Sequence, residues 1–228
     1  MLEIKHKKTG AVLARIDAES LSNRKISGAR LRGADLAGAD LSGSNLTNTD
    51  LRDADLTGAN LSGASLNGAY LEGANLVHAN LTRADLTDAH LQHAEMQEAQ
   101  MRGAILRYAQ LREAVLCAAD LCEADLSMAD LRADFHNARL IRADLRASDL
   151  SGANLRGADL QEANCKGAKM AAVQLVGANV LGMVDAHGNK LRVQAAAETP
   201  AAAKNGTRRK SVRRIKPVVP WWKFWARA

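Results

Sequence analysis

The side chains able to do chemistry in this chain fall into three groups: scattered His and Cys, a regular series of carboxylates, and a basic, aromatic C-terminal segment. The histidines are His6, His78, His90, His93, His136 and His187, and the closest two sit in "HLQHAE". A metal ion needs three or four such ligands converging on one point, and no third ligand accompanies that pair at a recognisable spacing. The cysteines are Cys117, Cys122 and Cys165, an odd number that makes no disulfide framework. No residue combination reads as a base-activated nucleophile, a phosphate-cradling loop or a matched acid and base. The chain is therefore expected not to be an enzyme, with no catalytic residues, no metal and no cofactor.

The C-terminal segment is different in kind. "RRKSVRRIKPVVPWWKFWARA", residues 208–228, holds eight Lys/Arg and all three Trp of the protein. Its candidate docking residues are Arg208, Arg209, Lys210, Arg213, Arg214 and Lys216, followed by Trp221, Trp222, Phe224 and Trp225. Arg and Lys attract an anionic membrane surface while Trp settles at its interface. The same composition suits nucleic acid, where Trp stacks on bases. Packing on the protein's own C-terminal cap is the third reading. Pro217 and Pro220 interrupt any long amphipathic helix here. The preceding "QAAAETPAAAKNGT", residues 194–207, reads as a flexible linker.

The net charge of +6 conceals this asymmetry. Residues 1–25 carry six Lys/Arg and three Asp/Glu, residues 26–180 carry 14 and 20, and residues 181–228 carry 11 and two. The three sections are thus +3, −6 and +9. An acidic body precedes a strongly basic end.

What positions these groups is a period of five. From Leu31 a central residue recurs every fifth position to Leu131, with Met96 and Met101 the only departures from Leu. One residue is then missing at "LRADF", and the count resumes at Phe135 and continues to Val180. Of these 31 centres 25 are Leu, and Ala stands two residues before 27 of them. Five residues turn an α-helix by about 500°, so successive Leu would share no face. A solenoid accommodates the period if each unit forms one flat side with Leu and Ala inward and the other three residues outward. The chain then turns at each unit boundary, where Gly recurs because it tolerates unusual backbone angles.

This A-(D/N)-L-x-x tandem resembles the pentapeptide-repeat family over about residues 26–180. The resemblance implies a right-handed quadrilateral β-helix, four units to a coil. With Ile26 as a first, weak centre there are 32 units in eight coils, about 38 Å tall at ~4.8 Å per coil. The expected organisation is an N-terminal hairpin cap over 1–25, turning near Lys8, Thr9 and Gly10; the solenoid over 26–180; a C-terminal cap over 181–193, turning at Gly188 and Asn189; the linker; and the tail. Phe135 is expected to fill the space left by the missing residue. The column of Leu is too narrow to hold a ligand.

In this frame His90 and His93 point out, Cys117 and Cys122 lie on adjacent outer sides, and Cys165 takes a core position. Thirteen of the 20 acids in 26–180 stand immediately before a centre. The structural reading is an Asp/Asn turn position bonding nearby backbone. The functional reading, implied by the resemblance, is an acidic face built on Asp35, Asp55 and Glu95 that imitates DNA toward gyrase, as a protection protein or inhibitor would. A net −6 is thin for this, because a duplex carries about 22 charges over the same height. Arg32, Arg52, Arg112 and Arg132 are also expected to interrupt the face.

The leading expectation is a scaffold that docks through its tail on an acidic partner or membrane surface. The expected partners are a protein, an anionic membrane or nucleic acid met by the tail, and a second copy in a homodimer. Residues 1–20 are charged and unlike a secretion signal, and no stretch is apolar enough to span a bilayer. The expected location is the cytoplasm, peripheral at the membrane.

Overall fold

The computed structural model describes residues 1–191. The linker and the tail, including all ten candidate docking residues from Arg208 to Trp225, lie outside the described residues.

The unit Asp55–Ala59 shows why the chain repeats in fives. Asp55 N–H donates to the Ala34 carbonyl in the coil above at 2.8 Å, and Leu56 and Gly58 donate to Asn75 and Val77 in the coil below at 2.7 and 2.9 Å. Ala59 N–H closes a turn onto the Leu56 carbonyl at 2.9 Å. The remaining donor, Thr57 N–H, goes to Asp55 Oδ1 at 3.0 Å. All five backbone donors are thereby satisfied, as a polar backbone packed against an apolar column requires. The Asp or Asn before each centre belongs to this accounting as an Asx turn.

Repeating this unit builds a β-helix. Each residue before a centre bridges in parallel to its counterpart 20 residues on, or 19 across the missing residue, from Lys25↔Asn45 to Asn164↔Val184. Four columns of bridges run along the molecule, and no helix occurs among the described residues. The centres and the Ala two before them form one continuous core; Leu31, Leu51, Ala54, Leu86 and Leu106 are all 0% exposed. The ladder reaches beyond residues 26–180 at both ends. Leu21 is already buried with a left-handed Asn23 behind it, and Val184 still pairs with Asn164.

The turn needs a positive φ two residues after each centre, combined with a bond from the fourth residue back to the first, as in a type II turn. Gly fills it at Gly58 (φ 64), yet 18 non-Gly residues among those described also hold positive φ, including Asn48, Tyr108 and Met128. That conformation costs a non-Gly residue roughly 1–2 kcal/mol. The stacked ladder holds it regardless of the side chain.

The missing residue is absorbed in the turn. Instead of the four-residue closure seen at Leu126–Ala129, Ala133 N–H bonds the Leu131 carbonyl, two residues back, at 2.8 Å. This three-residue turn is of the γ kind. Asp134 still pairs with Val115, and Phe135 is 1% exposed in the core.

The first coil has no coil above it, and a hairpin covers it. Strands β1 (Leu2–His6) and β2 (Val12–Ile16) pair antiparallel, and β1 also pairs with β3 (Ala34–Asp35), setting Lys5 opposite Asp35. Ile4 is 2% exposed and seals the column. At the other end Met183 is buried, and Lys190 folds back beside Val184 in an antiparallel bridge.

Gly33 lies against this N-terminal cap. A Cβ there would stand 2.5 Å from His6 Nε2, whereas one at Gly58 would meet nothing within 4 Å. Both positions are left-handed, with φ 67 and 64. Gly58→Ala is expected to cost about 1 kcal/mol from backbone conformation alone. Gly33→Ala is expected to cost about 1–3 kcal/mol more, by displacing β1. Thermal unfolding with amide exchange of residues 2–16 checks this. Equal effects at both positions would show that His6 gives way without disturbing the hairpin.

Candidate functional site

The carboxylates singled out from sequence do form one column: Asp35 pairs with Asp55, Asp55 with Asn75, and Asn75 with Glu95. Glu98 in the same unit as Glu95, and Asp134 further down the column, extend it. The expected interruption by Arg32, Arg52, Arg112 and Arg132 does not occur there. Those arginines follow centres of the preceding column, and each is held by an acid near its own corner. Arg32 meets Asp53 at 2.9 Å, Arg52 meets Asp50 at 2.6 Å, Arg112 meets Glu113 at 3.2 Å, and Arg132 pairs with Asp130. From Ala34 to Asn137 the units of the acidic column contain no Lys or Arg. Within the described residues Lys7 of the cap acts on Asp55, and His78 of the column stands 3.5 Å from Glu98.

These acids mostly serve the backbone. Thr57 Oγ1 donates to Asp55 Oδ1 at 2.6 Å, and this bond, joined by Thr57 N–H, draws the Asp55 carboxyl below its ordinary value near 3.8. Bonds from Arg52 and from Arg132 lower Asp50 and Asp130 in the same way, and bonds from Ser151 lower Asp149. Carboxyls depressed in the fold contribute stability that is present above the unfolded value and is lost as pH falls through the folded values. The melting temperature is therefore expected to hold down to about pH 4 and to fall below it, with solvent screening limiting each exposed group. Asp55→Asn keeps the acceptor and is expected to be near neutral at pH 7, whereas Asp55→Ala costs about 1 kcal/mol. A pH series of melts on the three proteins checks this. A melting temperature flat to pH 2 would refute the assigned role of these bonds.

The His and Cys residues are dispersed. His90 is 3.9 Å from Glu72, and His93 is 3.3 Å from Glu113. Among the described residues no group of three or more His, Cys, Asp or Glu could hold a metal ion. Cys122, expected to face out, is buried at 4% exposure, as is its neighbour in the next unit, Ser127, at 7%. Burial raises the thiols of Cys117 and Cys122 and pushes that of Cys165 up to about 12. Protonated thiols of this kind are poor nucleophiles. A cleft of about 570 Å³ beside the hairpin is lined by His6, Lys7, Lys8, Arg32 and Asp53, with Arg32 already engaged by Asp53.

Two surface features escaped sequence reading. Tyr70 stacks on His90 with ring centroids 5.0 Å apart, and Arg52 lies 5.8 Å over the Tyr70 ring. Ile105, Tyr108 and Met128 stand exposed together on another wall. A register of 20 residues, applied to every outward position and not only to the acids, would have found both.

The ladder, its left-handed corners and its Leu–Ala column define a β-helical solenoid of tandem five-residue units. The chain belongs to the pentapeptide-repeat family, whose model, described as pentapeptide repeats, matches in eight copies within residues 25–63, 64–103, 84–121, 99–133, 109–149 and 148–180. Among solved structures it is similar to HetL, a pentapeptide repeat protein involved in heterocyst differentiation regulation from the cyanobacterium Nostoc sp. strain PCC 7120. That match has 31% identity over 74% of this chain and 88% of HetL, with a TM-score of 0.44. A pentapeptide repeat protein of the Arabidopsis thaliana thylakoid lumen matches at 23% identity over 55% of this chain and 67% of its own, TM-score 0.24. QnrB1, a plasmid-mediated fluoroquinolone resistance protein, matches at 17% over 63% and 90%, TM-score 0.33. No curated protein matches the chain.

Proposed function

We propose that this protein is a non-enzymatic scaffold: a right-handed quadrilateral β-helix that docks through its basic, Trp-rich tail on an anionic membrane surface. Four bridge columns with a turn between each support the four-sided form. The right-handed sense follows the usual hand of parallel strand crossovers. The observation that carries the docking reading is where unbalanced charge lies. Along the tower most arginines are matched locally, whereas residues 181–228 hold 11 Lys/Arg against two acids. No helix among the described residues is long and apolar enough to cross a membrane, so the contact proposed is peripheral. The location that fits is the cytoplasmic face of a membrane, whose lipids are anionic.

A second reading, imitation of DNA, gains from the acidic column being free of Lys and Arg. Its five carboxylates span about 24 Å, where a duplex carries about 14 charges. Local Asx bonding also accounts for most of the Asp positions without a partner. The docking reading is the stronger.

Co-sedimentation with anionic vesicles tests it. The full chain is expected to pellet with them, and a 1–193 truncation, which retains the ladder, core and caps, is expected to remain in solution. Equal behaviour of the two would overturn the proposal.

A further inference from the structure

Ile105, Tyr108 and Met128 are 39, 46 and 51% exposed on one wall of the tower. Ile105 and Tyr108 belong to one unit, and Tyr108 N–H donates to the Ser127 carbonyl at 3.3 Å, which sets Met128 directly below Tyr108. The fold does not call for these side chains. Tyr108 and Met128 occupy left-handed corners, both at φ 61, in the column whose other corners include Gly28, Asn48 and Gly68. A bulky apolar residue there works against its backbone preference, and here two do so in succession. Their side chains must therefore answer to something other than the turn.

The rim is acidic. Asp85 stands one coil above Ile105, and Asp88 N–H bonds the Arg107 carbonyl beside Tyr108. Asp125 and Asp144 lower on this wall are engaged by Arg107 and Arg146, but among the described residues Asp85 and Asp88 have no Lys or Arg partner. The patch therefore suits a segment that is aromatic and cationic at once.

The described chain ends at the edge of this wall, where Leu191 N–H donates to the Met183 carbonyl and the Leu191 carbonyl accepts from Gly182 N–H. Val184 shares the bridge column of Ile105, through Asp125, Asp144 and Asn164, and Lys190 pairs beside Val184. Four coil rises set that end about 19 Å from Ile105. A flexible chain of 29 residues, the number from Arg192 to Pro220, would span about 30 Å and would carry the segment that follows to the patch at millimolar effective concentration.

We propose that Trp221, Trp222, Phe224 and Trp225 dock in cis on the patch of Ile105, Tyr108 and Met128, with Lys223 and Arg227 meeting Asp85 and Asp88. The consequence, which alone rests on the membrane reading above, is that the docked tail withholds its aromatic face from lipid. If the tail is docked two thirds of the time, only one third is competent, and releasing it tightens vesicle binding about threefold.

All three Trp lie in this segment, so emission reports on it alone. In buffer without vesicles, the full chain is expected to emit to the blue of the same chain in denaturant. Tyr108→Gly with Met128→Gly suits the left-handed corners, and this pair is expected to red-shift the emission and raise acrylamide quenching with unchanged circular dichroism. Tyr108→Asn with Met128→Asn provides an independent second pair, because Asn also tolerates that conformation. Native emission equal to that in denaturant would overturn the proposal. So would a blue shift that survives both double variants, since the tail would then pack elsewhere. Absence of vesicle binding by both wild type and variants would overturn the membrane reading and leave the cis contact standing on its emission data.

Discussion

A Leu86→Asp chain is expected to lose its cooperative fold. Leu86 is 0% exposed, stacked in its column between Leu66 and Leu106, which are equally buried. Removing a buried Leu side chain costs about 2–5 kcal/mol. Placing a carboxyl where no side chain can donate to it costs several more. Together these rival the whole stability of an ordinary domain, about 5–15 kcal/mol. Because a solenoid is held by contacts between adjacent coils, a break at mid-height removes the template on both sides. Circular dichroism should lose its β signal, and the thermal transition should vanish or split. Leu86→Met is the control, expected to cost less than about 1.5 kcal/mol, since the core already uses Met96 and Met101. A Leu86→Asp protein melting with the wild type would mean that the central position does not face inward.

Deleting the tail is expected to abolish binding to anionic vesicles, and salt should separate its two components. Each basic residue near an anionic bilayer contributes about 1 kcal/mol, so the eight in residues 208–228 set a ceiling of about 8 before screening. The four aromatics add apolar area on which salt has little effect. Raising salt should therefore weaken binding of the full chain without removing it. Changing Trp221, Trp222 and Trp225 to Ala should leave only a weak, salt-sensitive association. If single-stranded nucleic acid displaces the protein from vesicles at equal charge, the tail is a general binder of polyanions and membranes have no privilege.

The period of five, the inward Leu and Ala, the turn at each boundary and the membership of a β-helical repeat family are all legible in the sequence. Each unit repeats one local solution, and a local pattern repeated 31 times leaves little for distant contacts to decide. The Asp or Asn before each centre was legible for the same reason, since its acceptor reaches only two residues along.

Three matters depended on the tertiary structure. The first is how the missing residue is absorbed, which required seeing Ala133 close on Leu131 while Asp134 kept its partner across the coil. The second is the pairing of charges. Arg32 finds Asp53 at a distance of 21 residues and Arg139 finds Asp120 at 19, partners that lie one coil away and that no local pattern joins. The third is the apolar patch, whose Tyr108 and Met128 are 20 residues apart and inconspicuous in the text of the chain. A residue's inward or outward direction is set by its place within five residues, but its neighbours on the surface are set by the 20-residue coil. The core answers to the shorter period and could be read directly, whereas the surface that meets a partner answers to the longer one.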